Sequence, residues 1–369
     1  MKAIVLVGGE GTRLRPLTYT MPKPLLPIAN VPFLERQLTW LGRHGVDEVV
    51  LSLGYLPDAF AAQFPEGRAG GVKLRYAVEE EPLGTAGGIR YAADECGIDE
   101  RFVVCNGDIL TELDLSALVR FHDERGAEAT IHLARVPDPS AFGVVPTHPD
   151  GEVKAFVEKP PPGRAPTDWI NAGTYVLEPS VLARVPSRLT VSIERETFPR
   201  MLDHPGRLFA YQSDAYWIDI GTPGKYLEAN TDLLAGRLGP HSLPWGAVEH
   251  APGVWVQGQV SMAEEARVEA PVLVGAGTTI GAGARVARSV LGAGCWVDEG
   301  TRVLRSVLLD RARLAPEAEA IDAVIGPGAV LESDVIAADQ TIVGAAAVVS
   351  EGSKVSGARI HAAGSRTVR

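Results

Sequence analysis

Over the first 230 residues, short apolar runs alternate with amphipathic stretches. AIVLV (3–7) is followed by a helical period near Pro32 to His44, then EVVLSL (48–53), a helix near 57–64, VKLRYAV (72–78) and a helix near 85–95. FVVCNGD (102–108) reads as a further buried strand ending in polar residues, followed by a helix near 114–125, then ATIHLARV (129–136), GVVP (143–146) and TYVLEP (174–179). This rhythm predicts a doubly wound α/β domain with a mostly parallel sheet and helices on both faces. Ligands of such sheets bind beyond the carboxyl ends of the strands, which directs attention to the residues after Val7 and after Cys105.

After Trp245 the helical periods vanish. Val274, Ile280 and Val286 stand six apart, as do Leu291, Val297 and Val303, and again Val324, Val330, Ile336, Ile342 and Val348. A period of six predicts a parallel β-helix of hexapeptide repeats, with three hexads to a triangular coil and glycine or small residues at the corners. The region is long enough for roughly six or seven coils of about eighteen residues. A sandwich would instead alternate with period two. The glycine-free stretch near 308–323, containing RARLAPEAEAIDA, predicts a bulged or atypical coil. The change of pattern divides the chain into domains 1–240 and 241–369.

Length and composition agree with two globular domains: 369 residues, 46% hydrophobic and 22% charged, more than one core usually holds. Forty Gly and 27 Pro exceed ordinary usage and fit a fold that turns often. A net charge of −11 repels polyanions and argues against a nucleic-acid or membrane-surface binder. Cys96, Cys105 and Cys295 show no CxxC spacing, so neither a disulfide framework nor a zinc site is implied. The apolar run at 3–7 is too short for a signal-peptide core, and no stretch approaches 18 apolar residues. A soluble, cytoplasmic protein is expected. The six Trp are expected in the core or in β-helix stacking, with Trp217 set apart by its place two residues before Asp219. The C-terminal SKVSGARIHAAGSRTVR carries Lys354, Arg359, Arg366 and Arg369 with no acid, and reads as a solvated basic segment.

The chemistry concentrates in GGEGTRLRPLTYTMPKPLLPIANVP (8–32), directly after the first strand. It is no dinucleotide fingerprint, because the third glycine position is Leu14, and no Walker A, because no Gly-Lys-Ser/Thr follows. It supplies a glycine loop whose N–H groups can approach a phosphate, then Arg13 with its planar donor fork, and Lys23 held between Pro22 and Pro24.

This motif resembles the N-terminal signature of the nucleotide-sugar pyrophosphorylases (nucleotidyltransferases). The resemblance continues through EEEPLGTAGG (79–88), NGD (106–108), FGVV (142–145), FVEKP (156–160), NAG (171–173) and WIDIGTP (217–223). With VSIERETFP (191–199) and a short β-helix, the chain is most similar within that family to the mannose-1-phosphate guanylyltransferases. It implies a Rossmann-like catalytic domain followed by a left-handed hexapeptide β-helix. The implied reaction is attack of a sugar-1-phosphate oxygen on the α-phosphorus of a nucleoside triphosphate, here GTP with mannose-1-phosphate, releasing pyrophosphate. Arg13, Lys23, Asp108 and Asp219 would be catalytic, with Asp108 and Asp219 as ligands of Mg²⁺. Nucleotide contacts are implied for Leu6, Gly8, Gly9, Gly11, Thr12, Arg13, Pro82, Gly84, Thr85 and Gly87. Sugar-phosphate contacts are implied for Lys23, Gly143, Glu158, Lys159, Asn171 and Gly173. Thr85 is also expected to cap its helix. Neither nucleic acid nor membrane is an expected partner; a homo-oligomer through the β-helix is. The alternatives are a glucose-1-phosphate uridylyl- or thymidylyltransferase, a β-helix acyltransferase, and a catalytically silent regulatory subunit.

Overall fold

The computed structural model describes residues 1–204, 206–239 and 243–362. By contact density the chain divides into two compact units: residues 1–9 with 34–217, and residues 10–33 with 218–369.

The first unit is an α/β layer structure. Its elements are β1 (Lys2–Leu6), α1 (Phe33–Arg43), β2 (Glu48–Leu53), α2 (Pro57–Gln63), β3 (Val72–Val78), α3 (Gly84–Cys96), β4 (Phe102–Asn106), α4 (Leu115–Arg125), β5 (Ala129–Arg135), β6 (Trp169–Leu177) and β7 (Leu208–Ser213). Strands β4, β1, β2 and β3 lie parallel in that order; β6 runs antiparallel to β4 and β5, and β7 pairs parallel with β5. The central strands are buried on both faces, so their sequences are continuous apolar runs rather than alternations. Helix α4 begins at Asp114, whose carboxylate accepts from the Ala117 amide at 2.9 Å, and ends at Gly126 in the left-handed region. Ile4, Val104, Ile131, Tyr175 and Phe198 belong to one buried cluster.

The sequence pattern placed the helices within one or two residues but missed three features. Strand β6 begins at Trp169 rather than Thr174, β7 was not expected, and neither was α5 (Pro223–Leu234) of the second unit. The signal for α5 was local: the Thr222 hydroxyl accepts from the Lys225 amide, and Pro223 fills the first helical position.

The β-helix of the second unit stacks short parallel strands at a spacing of 17 or 18 residues. Thr279 pairs with Trp296, Trp296 with Arg313, Arg313 with Val330, and Val330 with Val348, in a column of six strands. Inward residues such as Ile280, Val297, Leu314, Leu331 and Val349 form a continuous buried column. The expected atypical coil near 308–323 is instead regular: Val307 pairs with Val324, and Glu319 with Ile336. The left-handed corners there are taken by Arg311, Glu317 and Asp322, with φ of 60°, 59° and 50°. Stacking on both sides holds a conformation that normally favours glycine. One tryptophan departs from expectation: Trp245 is 99% exposed, whereas Trp40 is buried and Trp296, 51% exposed, stacks in the coil column between Thr279 and Arg313. All three cysteines are buried and free. Among the described residues no helix is long and apolar enough to cross a membrane. Arg366 and Arg369 of the basic segment lie outside the described residues.

Candidate functional site

In the first unit the carboxyl ends of β1 and β4 converge. Leu6 stands beside Asn106 in the parallel register, and the Gly107 amide donates to the Leu6 carbonyl at 2.8 Å. A Cβ on Gly107 would lie 2.4 Å from Val7 Cγ1, so only glycine permits this approach. Asp108 follows at once, half-buried in the turn after β4. Gly8 and Gly9 are exposed at the end of β1, with nothing within 4 Å of the space a Gly9 Cβ would take. Gly173, at φ 71°, packs on Asn106: a Cβ there would meet Asn106 Nδ2 at 2.5 Å.

A chain of hydrogen bonds links Gly173 to the first turn of α3. The Gly173 amide donates to Asn171 Oδ1 (3.0 Å), Asn171 Nδ2 donates to the Tyr175 hydroxyl (2.9 Å), and that hydroxyl donates to Glu194 Oε1 (3.3 Å). Burial, then the nearby Glu194 charge, pushes the Tyr175 phenol well above its ordinary value, so it stays a donor. Glu194 Oε2 accepts from Thr85 Oγ1 (2.8 Å) and Ser192 Oγ (2.9 Å), while Thr85 Oγ1 accepts from the Ile193 amide. The Thr85 hydroxyl is therefore spent on the 192–194 segment, and α3 has no side-chain cap, contrary to the expected N-cap. Gly84 and Gly87 have a packing role: added Cβ atoms would lie 2.7 Å from the Val191 carbonyl oxygen and 2.5 Å from that of Leu189. The Gly87 amide donates to Val191, so it is already engaged within the chain. Pro82 is exposed, and its carbonyl accepts from Thr190 Oγ1 at 3.0 Å.

Farther along the same unit, Gly143 and Glu158 face each other across an antiparallel pair. Glu158 accepts from Arg195 Nη2 at 3.2 Å and lies 3.9 Å from Lys159 Nζ, all three being well exposed. Trp217 donates its indole N–H to the Ala172 carbonyl (2.9 Å) and meets the Phe142 ring edge-on.

The second unit gathers Arg13, Lys23 and Asp219. Lys23 is 8% exposed, with Nζ 3.8 Å from Asp219 Oδ1. A Cβ on Gly221 would lie 2.5 Å from Arg13 Nη2 and 2.8 Å from Asp219 Oδ1, so guanidinium and carboxylate share the space this glycine leaves open. Gly11, at φ 60°, lets the chain turn where a Cβ would press on both Lys23 and Thr18 at 3.0 Å. Thr12 and Arg13 are exposed in the short helical turn that follows. Two cations about one carboxylate make a patch able to neutralise phosphate oxygens.

Residues 2–236 match the family described as Nucleotidyl transferase. The chain belongs to the nucleotidyl transferase family. Residues 259–345 match a second family, the GlmU-like C-terminal hexapeptide. A mannose-1-phosphate guanylyltransferase of Mycobacterium tuberculosis is 41% identical over 290 residues, covering 78% of this chain and 79% of that protein. A UTP–glucose-1-phosphate uridylyltransferase of Synechocystis is 32% identical over 88% of this chain and 87% of its own. Among solved structures, HddC from Yersinia pseudotuberculosis superposes with a TM-score of 0.54 at 32% identity, covering 62% of this chain and 97% of HddC, and has also been solved complexed with GMP-PN. Glu194 and Gly221 lie within VSIERETFP and WIDIGTP, but no signal in the sequence assigns either residue a part. Tyr175 had no signal of its own, being one more aromatic in an apolar strand.

Proposed function

We propose that the protein is a sugar-1-phosphate nucleotidyltransferase that joins mannose-1-phosphate to GTP, forming GDP-mannose and pyrophosphate. The observation that carries the reading is the grouping of Arg13 and Lys23 about Asp219, with Arg13 and Asp219 sharing the space beside Gly221, in a member of a nucleotidyl transferase family. The first 240 residues then hold the transfer chemistry and residues 241–369 the β-helix. The guanylyl and mannosyl choices rest on the Mycobacterium tuberculosis relative.

In this reading a sugar-phosphate oxygen attacks the α-phosphorus and the bond to the β-phosphate oxygen breaks, so no protein nucleophile is required. Arg13 neutralises charge on the α- and β-phosphates, and Lys23 holds the attacking phosphate against the α-phosphorus. Leu6, Gly8, Gly9, Gly11, Thr12, Pro82, Gly84, Thr85 and Gly87 line the nucleotide's path, the network through Glu194 fixing the shape of the loop at 82–87. Gly143, Glu158, Lys159, Asn171 and Gly173 serve the sugar phosphate.

Asp108 and Asp219 are the carboxylates for Mg²⁺. The donor chemistry fits: both are hard oxygen ligands, half-buried, Asp108 just past one strand and Asp219 at the end of another. Mg²⁺ is commonly held by one or two carboxylates, with phosphate and water completing its shell. When bound it would supply charge neutralisation at the phosphates.

Pyrophosphate release across a matrix of triphosphates and sugar-1-phosphates tests the reading; GTP with mannose-1-phosphate should give the highest kcat/KM. The second reading, UTP with glucose-1-phosphate, is favoured by the Synechocystis relative's 88% coverage of this chain. A higher kcat/KM for that pair would replace the first.

A further inference from the structure

The segment that carries Arg13 and Lys23 is packed as part of the β-helix unit. Residues 10–33 are first knitted to themselves: Thr18 Oγ1 donates to the Gly11 carbonyl at 2.9 Å, and Thr18 and Lys23 both press on Gly11. A two-residue hairpin closes the segment, Pro27–Ile28 pairing with Val31–Pro32 around Ala29 and Asn30, both at positive φ (43° and 60°). Such a turn splays little and transmits position well.

That hairpin is held from outside by groups far along the chain. The Ala29 amide donates to the buried Asn230 Oδ1 at 2.8 Å, and the Tyr226 hydroxyl donates to the Pro27 carbonyl at 2.5 Å, both partners lying on α5. Asn30 Nδ2 donates to Gln257 Oε1 (3.0 Å) and to the Leu291 carbonyl (2.9 Å), both in the β-helix. Nearer the cations, Pro16 sits against a late coil: a Cβ on Gly344 would lie 2.8 Å from Pro16 Cγ. The Tyr19 ring lies 5.6 Å from that of His361. Three stretches of the segment are thus fixed by residues beyond position 220, and the knitted core carries that placement to Arg13 and Lys23.

We propose that Asn30, Asn230 and Gly344 are positioning residues for the transfer reaction: α5 and the β-helix hold the loop bearing the two phosphate-directed cations in register. The inference rests on the proposed roles of Arg13 and Lys23. It gives the hexapeptide coils a part in catalysis without contact to substrate, since displacement of a reacting group by about 1 Å can cost up to roughly 10²-fold in rate.

Two single variants of the full-length protein test it. Asn30→Gly keeps the left-handed turn unstrained but removes both side-chain bonds; Gly344→Ala puts a methyl group against Pro16. Each should lower kcat/KM roughly tenfold to a hundredfold, mainly through kcat. Hydrogen exchange of amides in 10–33 should rise while the strands between Thr279 and Val349 stay protected. In a Pro16→Ala background, Gly344→Ala should add less than its loss in the wild type, because the closest contact, Pro16 Cγ at 2.8 Å, is gone while Pro16 Cβ and the Ile360 carbonyl, each at 3.1 Å, remain. Unchanged kcat and unchanged loop exchange in both variants would overturn the proposal, as would fully additive losses in the double variant. If Gly344→Ala loosens the coils themselves, Asn30→Gly alone decides. A wild-type protein inactive with every substrate pair would sink the proposed function, while the exchange measurement would still judge the anchoring.

Discussion

Two groups of candidate residues, one in each unit, take opposite chemical forms. In the second, Arg13 and Lys23 are full charges gathered about the carboxylate of Asp219, beside Gly221. In the first, Gly173, Asn171, Tyr175 and Thr85 are neutral groups joined in one hydrogen-bonded chain that ends on the single carboxylate of Glu194. Charges act directly on charge that develops during a reaction, whereas a neutral network holds shape. Variants in the charged cluster should therefore act on kcat, and variants in the network on the fit of a ligand.

The largest effect expected is from Asp219→Asn, with Asp108→Asn its counterpart in the first unit. Each should reduce turnover by about 10³-fold with the fold unchanged, as expected when several kcal/mol of charge compensation are lost. Chelation by EDTA should abolish activity in the wild type, and full turnover in EDTA would remove the metal from the scheme. Next comes Arg13→Ala, with kcat down by roughly 10²-fold or more and a smaller change in sugar-phosphate KM. Arg13→Lys should also be poor, because an ammonium cannot reproduce the guanidinium fork. Near wild-type kcat in that variant would show that a point charge suffices.

A smaller change should follow from Glu194→Gln. The amide cannot accept from Tyr175, Thr85 and Ser192 together, so the loop at 82–87 loosens. The triphosphate KM should rise about tenfold with kcat nearly kept, since ground-state and transition-state binding weaken alike. If kcat instead fell as far as in Arg13→Ala, the contrast between the units would fail, and the network would belong to the reacting centre.

What the sequence made legible follows the same division. Residue type and setting pointed to Arg13 and Lys23, charged groups beside glycines and prolines, whereas Asp219 came only with the family resemblance. The strand ends at Leu6 and Asn106 could be read from apolar runs that stop abruptly, and the coils from a period no other fold uses. The rest depended on distance along the chain. Asn30 finds its partners 227 and 261 residues away, and no local pattern foretells that. The Thr85 hydroxyl had a legible local use as a cap, but a tertiary acceptor, Glu194, took it. Around 308–323 the missing glycines suggested a bulged or atypical coil, yet Arg311, Glu317 and Asp322 adopt the left-handed corner. That conformation costs of order 1–2 kcal/mol per residue, which the stacked ladders on either side offset.

The last predicted effect falls on stability rather than on rate or binding and separates the two units by pH. His132, on β5, is fully buried with neither ring nitrogen hydrogen-bonded, and burial pushes its pKa down from 6.5 to about 3. The folded first unit thus keeps this imidazole neutral where the unfolded chain would take up a proton. The contribution to stability is unchanged above pH 6.5 and declines as pH falls from there toward 3, at up to about 1.4 kcal/mol per pH unit. His132→Phe removes the titrating group while keeping an aromatic ring of similar size. The difference in unfolding free energy between variant and wild type should therefore move in the variant's favour between pH 6.5 and 4, and stay flat above pH 7. Exchange protection followed at pH 7 and pH 5 should show the wild-type loss in β5 and β7 rather than in the coils, whose interior column is apolar. Parallel pH profiles for the two proteins would mean that His132 is not what makes the α/β unit sensitive to acid.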